Sequence, residues 1–332
     1  MRSCFVQGVD INIHGTLALF RNSASLTNLE IHSERRIPLP IPSDLPSGLR
    51  PPFESPFPLP YLTEFQLSLN GNGPEVNVSA LFRFLSYSPL LQKIRIVVGE
   101  VLYDDALDQV IVLDSLVGLH YVGNSLDRIL PCLRLPHLQQ LRVVSTSERV
   151  QNMVDLLPNG GRLLLTGATK MSYYSDSFSH SVTLSGEGLN VSLTTVGIAT
   201  IDWLSDETYI PFGRIEDLTV EGFYVVPSLP INVFKNLRVL RVTLEDVSST
   251  EGFWRSLFQA EEIPCRSLRE ILYTYQGSLD PLISLARERK RVGHQLELVQ
   301  LFTEDEHDQD RVEELREHVV EVEVTELGEF GE

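Results

Sequence analysis

Cysteine is scarce: Cys4, Cys132 and Cys265 are the only three among 332 residues, and no two form a CxxC pair. A disulfide framework is therefore excluded, and a reducing setting, cytoplasmic or nuclear, is expected. Long apolar runs are lacking as well. No stretch approaches the roughly 18 residues that span a bilayer, and the start, MRSCFVQGVDINIHG, lacks the continuous apolar core of a secretory signal. Positive charge is in short supply, with 27 Lys+Arg against 45 Asp+Glu and a net charge of −18. That balance argues against nucleic acid and anionic membrane as partners. Catalytic signatures are missing too. The chain has no HExxH, no GxSxG nucleophile elbow and no GxxxxGK[ST] phosphate loop. NGNG at 70–73 lacks the third glycine of a dinucleotide fingerprint, and EDEHDQD at 304–310 lacks the glycine a calcium loop needs. No catalytic residue, metal site or cofactor is expected.

What the chain does have is a recurrent segment, apolar-x-x-apolar-x-apolar. It occurs as LTNLEI (26–31), LTEFQL (62–67), LLQKIRI around the anchor Leu91, LVGLHY (116–121) and LQQLRV (138–143). It returns as IEDLTV (215–220), LRVLRV (237–242), LREILY (268–273) and LELVQL (296–301). Apolar residues stand six and nine positions before several anchors, Phe20/Leu17, Leu85/Phe82, Val110/Leu107 and Cys132/Ile129, and Leu157/Val154 stand so before a weaker unit at Leu163. A spacing of three lies along one side of a helix, so each unit reads as helix, short turn and strand. Leu116, Leu119, Tyr121, Asn124 and Leu126 complete an L-x-x-L-x-L-x-x-N-x-L pattern, in which the Asn bonds backbone in the turn that leaves the strand. Anchor spacings of 36, 29, 25 and 22 residues mark the repeat as irregular. The fold class expected is α/β: one irregular leucine-rich-repeat solenoid over 1–332, with a parallel sheet on its concave face and helices on its convex face. Leu29, Leu67, Ile96, Leu119, Leu141, Leu218, Leu240 and Ile271 are its expected core strand positions.

Two stretches interrupt the repeat. Residues 37–60 hold nine of the 19 prolines, none three apart, and read as a stiff insertion loop without the PxxP spacing of a polyproline ligand. Residues 177–195 alternate on both sides of SGEG and predict an antiparallel hairpin. Near the end, DPLISLARERKRV (280–292) predicts a helix with Asp-Pro at its start, basic residues in its last turn and Gly293 beyond. A strand, a charged helix over 307–318 and a last strand, VVEVEV (319–324), follow. Residues 303–332 carry 13 Asp/Glu against two Arg and read as an acidic cap, its edge charges discouraging strand-to-strand association.

Parallel strands stack about 4.8 Å apart, so the residue between the second and third apolar positions of each repeat lines the open face. In chain order these are Glu30, Gln66, Arg95, His120, Arg142, Thr219 and Arg241. Two residues earlier stand Asn28, Glu64, Lys93, Gly118, Gln140, Asp217 and Val239. Arg95, His120 and Arg142, with Lys93 and Gln140 beside them, thus form a basic strip on an acidic protein. Glu30 and Glu64 are expected on one flank, Asp217 and Glu221 on the other. Stacked like charges repel, so the strip suits an acidic protein segment.

The blocks FRNSASLTNLEI, LPHLQQLRV, IPCRSLREI and PLISLARERKRVGHQLE resemble the leucine-rich-repeat region of fungal F-box/LRR proteins, over about residues 15 to 325. The resemblance implies a non-catalytic, target-binding module of a ubiquitin-ligase receptor. The first 25 residues already lead into a repeat, so a Skp-type adaptor is an expected partner only if an F-box lies upstream of Met1. The alternative is a stand-alone repeat scaffold or inhibitor with no ubiquitin link.

Overall fold

In a computed structural model, the structure describes residues 3–8, 25–33, 59–69, 76–77, 81–82, 85–98, 101–102, 110–124, 129–146, 156–158, 165–176, 178–196, 212–222, 233–244, 253–254, 257, 265–275, 278–303 and 309–326. Within it the chain divides into two compact units, Met1–Leu164 with Asn190–Val196, and Leu165–Leu189 with Gly197–Glu332. Both are mixed α/β and dominated by long strand ladders.

The first unit contributes β1 (Ser3–Gly8), β2 (Asn28–Ser33), β3 (Glu64–Leu69), β4 (Val76–Asn77), β5 (Lys93–Val97), β6 (Val101–Leu102), β7 (Ile111–Val112), β8 (Gly118–Gly123), β9 (Leu133–Arg134) and β10 (Gln140–Ser145). The second opens with β11 (Ala168–Ser175) and β12 (Ser179–Gly186), after which β13 (Leu189–Val196) falls mostly in the first. In the first unit the main order is β1-β2-β3-β5-β8-β10-β13, every pair parallel. One row of this ladder, Leu29–Phe65–Ile94–Leu119–Leu141–Val191, is buried, and so is the next, Ile31–Leu67–Ile96–Tyr121–Val143–Leu193. The period of two in each strand puts these side chains in the core and their neighbours on the open face.

A local device recurs ahead of the strands. The anchor's N–H donates to the carbonyl three residues back, as in Leu62 to Leu59 (3.0 Å), Leu91 to Ser88 (3.1 Å), Leu116 to Leu113 (3.3 Å) and Leu138 to Leu135 (3.4 Å). The next two N–H groups then reach one carbonyl, that of the residue just before the preceding strand, as Gln92 and Lys93 do to Thr63, and Val117 and Gly118 to Gln92. Each turn therefore spends its backbone donors on the preceding repeat, which fixes the register one strand at a time.

The segments before the anchors differ from the expectation. Leu85 and Phe82 are buried in helical turns as predicted. Val110, however, is 52% exposed and leads into β7, which pairs with β9. Before β9, Ile129 is buried in helical backbone and a 3-10 turn, Leu130–Cys132, follows it. Val110, Ile111 and Val112 are all β-branched, and a run of stiff side chains favours extended backbone over helix. Leu17, Phe20, Leu107, Val154, Leu126 and Asn70 lie outside the described residues, as does the proline-rich stretch up to residue 58. The Oδ1 of Asn124 is buried and meets no donor, so it does not accept the turn hydrogen bond expected of it.

The second unit pairs β12 antiparallel with β11, and β11 parallel with β14 (Asp217–Gly222). The ladder continues in parallel through β15 (Val239–Leu244), β16 (Glu270–Tyr275), β17 (Leu298–Thr303) and β18 (Glu321–Glu326). Leu218, Leu240 and Ile271 fill one buried row, and Ile215, Leu237 and Leu268 repeat the anchor turn. Strands form on both sides of the predicted SGEG turn, with Gly188 at φ 70. Gly186, the second residue of that turn and the last of β12, faces β11 across a bulge. A Cβ there would lie 2.0 Å from the Gly167 carbonyl oxygen, so Gly186→Ala is expected to cost about 1–3 kcal/mol through backbone displacement. Urea unfolding of this variant is the check.

Helix α1 (Asp280–Arg291) starts with Pro281 in its first turn and is followed by Gly293 at φ 81. It buries Leu282, Ile283, Leu285, Ala286 and Arg289. Helix α2 (Gln309–Arg316) buries Val312 and Leu315 and is tied to α1 by Arg287–Glu314 (2.6 Å) and Arg311–Asp280 (3.1 Å). The last strand begins two residues later than expected, because Val319 still bonds back to Leu315 and is buried. Its Glu321 and Glu323 are exposed, as the alternation predicts.

Candidate functional site

The open face of the first unit brings the predicted strip into one row. Arg95 on β5 stands opposite His120 on β8, and His120 opposite Arg142 on β10. Both arginines are exposed and His120 is half-buried. Neither Arg95 nor Arg142 has an ion pair or side-chain hydrogen bond among the described residues. The contrast within the chain is sharp: Arg241 bonds Asp217, Arg269 bonds Glu297 at 2.8 Å and Arg287 bonds Glu314 at 2.6 Å. Burial first, and then the charges of Arg142 and Arg95, push the His120 imidazole below its usual range. His120 is consequently neutral at neutral pH.

The row two residues earlier is Glu64–Lys93–Gly118–Gln140–Asn190. Lys93 pairs with Glu64 at 3.3 Å, so part of its charge is already answered. Gln140 is exposed beside it. Gly118 leaves the middle of this row without a side chain. A Cβ there would meet Lys93 Cγ at 3.7 Å and Gln140 Oε1 at 3.8 Å, ordinary contacts, so packing does not demand glycine. Gly118→Ala is expected to keep the fold and raise stability by about 0.5–1 kcal/mol, measurable as a small upward shift in Tm.

One acidic flank is where the sequence places it. Glu30 bonds His32 at 2.6 Å, and Glu64 takes both Lys93 and Asn28. The other is not. Arg142 stands opposite Ser192 of β13, with Asn190 and Thr194 on either side. Asp217 and Glu221 belong to β14 in the second unit, where Asp217 sits between Lys170 and Val239 and is taken by Arg241. The strand next to β10 comes from an insertion that the leucine pattern does not count, and it brings polar residues where carboxylates were expected.

A further row escaped the sequence reading. Val97, Val122 and Val144 stand in register two residues beyond Arg95, His120 and Arg142, half-buried on the same open face. Their signal was present as the residue following each inward apolar position.

In the second unit, a serine, a histidine and an aspartate come together. Ser175 Oγ lies 3.0 Å and Tyr173 Oη 2.9 Å from His180 Nδ1. Ser175 is 1% exposed, and the Asp176 carboxylate accepts from the Phe178 and Ser179 N–H groups and the Ser179 hydroxyl. The cluster ties the β11–β12 turn to the core. Burial pushes the His180 ring below its usual range, against a smaller opposite pull from Asp176. The unfolded chain binds this proton more readily, so the folded state loses stability as pH falls from about 6.5 to the lower folded value, and no further below it. His180→Asn is expected to flatten this part of the pH–stability curve, as followed by denaturant midpoints across the range.

Among the described residues, no three His, Cys, Asp or Glu side chains stand close enough to hold a metal ion, and no helix is long and apolar enough to cross a membrane. The chain matches no protein-family model and no curated protein.

Proposed function

We propose that the chain is a non-catalytic protein-interaction module of irregular leucine-rich repeats, similar to the target-binding repeats of F-box/LRR ubiquitin-ligase receptors. The recurrent anchor turns and the parallel, leucine-lined ladders support the repeat reading. The observation that carries the function is the in-register row Arg95–His120–Arg142, its two arginines exposed and, among the described residues, without a bonded carboxylate. Planar guanidinium groups take carboxylates in paired hydrogen bonds, so this face takes an acidic segment of a protein partner.

The test is fluorescence anisotropy with a glutamate-rich peptide and a length-matched lysine-rich one, at low and high salt. The glutamate peptide is expected to bind, to weaken with salt, and to lose binding in Arg95→Glu/Arg142→Glu, whose side chains leave the core untouched. Binding by the double reversal equal to wild type at low salt would remove the strip from the function. A Skp-type adaptor captured by the full reading frame supports the ligase link, and failure of that capture selects the stand-alone scaffold.

Binding should also depend on pH. Among the described residues, the charges on the strands beside His120 are Arg95 and Lys93 on β5 and Arg142 on β10, all positive, and Gln140 is neutral. Burial first, and then the charges of Arg142 and Arg95, disfavour the imidazolium in the free protein, and a bound carboxylate favours it. Binding therefore takes up a proton, and affinity rises as pH falls from about 7.5 towards 6, around the ordinary His value of roughly 6.5. His120→Gln is expected to abolish this rise while keeping the salt dependence.

A further inference from the structure

The strip does not stand alone on its face. Three strands in register present nine positions: Lys93, Arg95 and Val97 on β5, Gly118, His120 and Val122 on β8, Gln140, Arg142 and Val144 on β10. The positive row is bordered along its whole length by an apolar row of three valines, each partly open to solvent. Elsewhere in this unit, the same position along the strand is held by Gln7, His32, Ser68 and Thr194. The apolar row therefore coincides with the three strands that hold the charges. Valine is a strong strand former, and so is threonine, which would give the same strand without the exposed apolar surface.

Resting on the reading that this face takes an acidic segment, we propose that the segment is an acidic peptide with apolar side chains next to its carboxylates. The carboxylates engage Arg95 and Arg142, and the apolar side chains lie along Val97, Val122 and Val144. The dimensions fit a short peptide. Arg95 and Arg142 are two strands apart, about 9.6 Å, and the valine row lies about 6.6 Å further along the strands. Two carboxylates three residues apart along a polyproline II peptide, at about 3.1 Å per residue, share one side and span the first distance, and one leucine-sized side chain reaches across the second. Charge selects the segment and sets its encounter, and the apolar contact holds it. The pairing also separates the target from generic polyanions, which offer charge with nothing for the valines.

The experiment compares two peptides of equal charge, one with leucines between its glutamates and one with serines in their place, by anisotropy at fixed salt. The leucine peptide is expected to bind roughly tenfold tighter. In Val97→Thr/Val122→Thr/Val144→Thr the advantage should vanish while the serine peptide binds as before. Threonine keeps the branched shape, and a circular dichroism melt like that of wild type confirms that the strands are intact. Equal binding of the two peptides to wild type would overturn this inference and leave the acidic-segment reading standing; failure of both peptides would overturn the two together. Sedimentation of the protein alone covers the remaining occupant. A fall in molecular weight on Arg95→Glu/Arg142→Glu would show a second copy of the chain on this face, and would overturn the peptide assignment.

Discussion

Replacing Leu141 with alanine is expected to destabilise the first unit by roughly 2–5 kcal/mol. Leu141 is 1% exposed and stands in register between Leu119 on β8 and Val191 on β13, themselves almost fully buried. The strands on both sides are fixed by complete ladders, and the turn before β10 is bonded to Val117 through the N–H groups of Gln139 and Gln140. Those backbone bonds keep the neighbours from closing on the space left by the isobutyl group, so the cost includes a cavity as well as lost burial. A urea titration should show the midpoint falling with an unchanged slope, since the same surface is still exposed on unfolding. Arg142→Ala, one residue on and on the open face, should change the unfolding free energy by no more than about 0.5 kcal/mol. A loss below 1 kcal/mol at Leu141 would mean that this row is not close-packed.

The contrast between these two adjacent residues shows what the sequence made legible. Once the anchor leucines are recognised, a period of two decides which side chains enter the core, and all eight core positions named from the pattern are buried. The alignment of Arg95, His120 and Arg142 follows from the same logic, since each anchor turn is bonded to the repeat before it. Strand β11 was harder to see. Its buried residues are Ala168, Met171, Tyr173 and Ser175 rather than leucines, so it breaks the chemical pattern while keeping the alternation from Met171 onward. The predicted acidic flank was displaced for another reason: the second strand of the hairpin predicted over 177–195 pairs with β10, whereas the leucine pattern passes over that hairpin and puts the strand of Asp217 and Glu221 next. The helices expected before the anchors depended on spacing alone. At 110–112 the β-branched side chains decide for extended backbone, which spacing does not register.

The valine row was hidden for a different reason. In IRIVV, HYV and RVVS, apolar residues follow one another, and a continuous apolar run reads as a strand buried on both faces. Only the ladder shows that Ile96, Tyr121 and Val143 point inward, so that Val97, Val122 and Val144 point out. The face thus combines a charged row that is obvious in sequence with an apolar row that resembles core.

Arg289 is the residue whose role in the structure departs furthest from its sequence context, and its replacement is expected to have the second large effect. In sequence it is one of several basic residues closing α1, a position that usually ends in solvent with its charge on the helix dipole. In the structure it is 1% exposed. Its Nη2 donates to the carbonyls of Leu268 at 3.0 Å and Cys265 at 3.2 Å, in the anchor turn that leads into β16. Cys265 takes φ 52 there, a strained value for a residue with a side chain, and the guanidinium holds the turn from the core side. Burial lowers the guanidinium to about 10, so it stays charged at neutral pH, and pushes the Cys265 thiol up to about 12, so it stays protonated. Arg289→Ala removes the packed stem and leaves the Leu268 carbonyl without this donor, at an expected cost of about 2–5 kcal/mol. Arg289→Met restores most of the stem volume and not the hydrogen bonds, so it should recover part of that loss. Exposure of Cys265 offers a second readout: its reaction with a thiol reagent should be slow in the native protein and faster in Arg289→Ala, as the turn opens more often. Unchanged stability together with unchanged thiol reactivity would mean that the turn holds its conformation without the arginine.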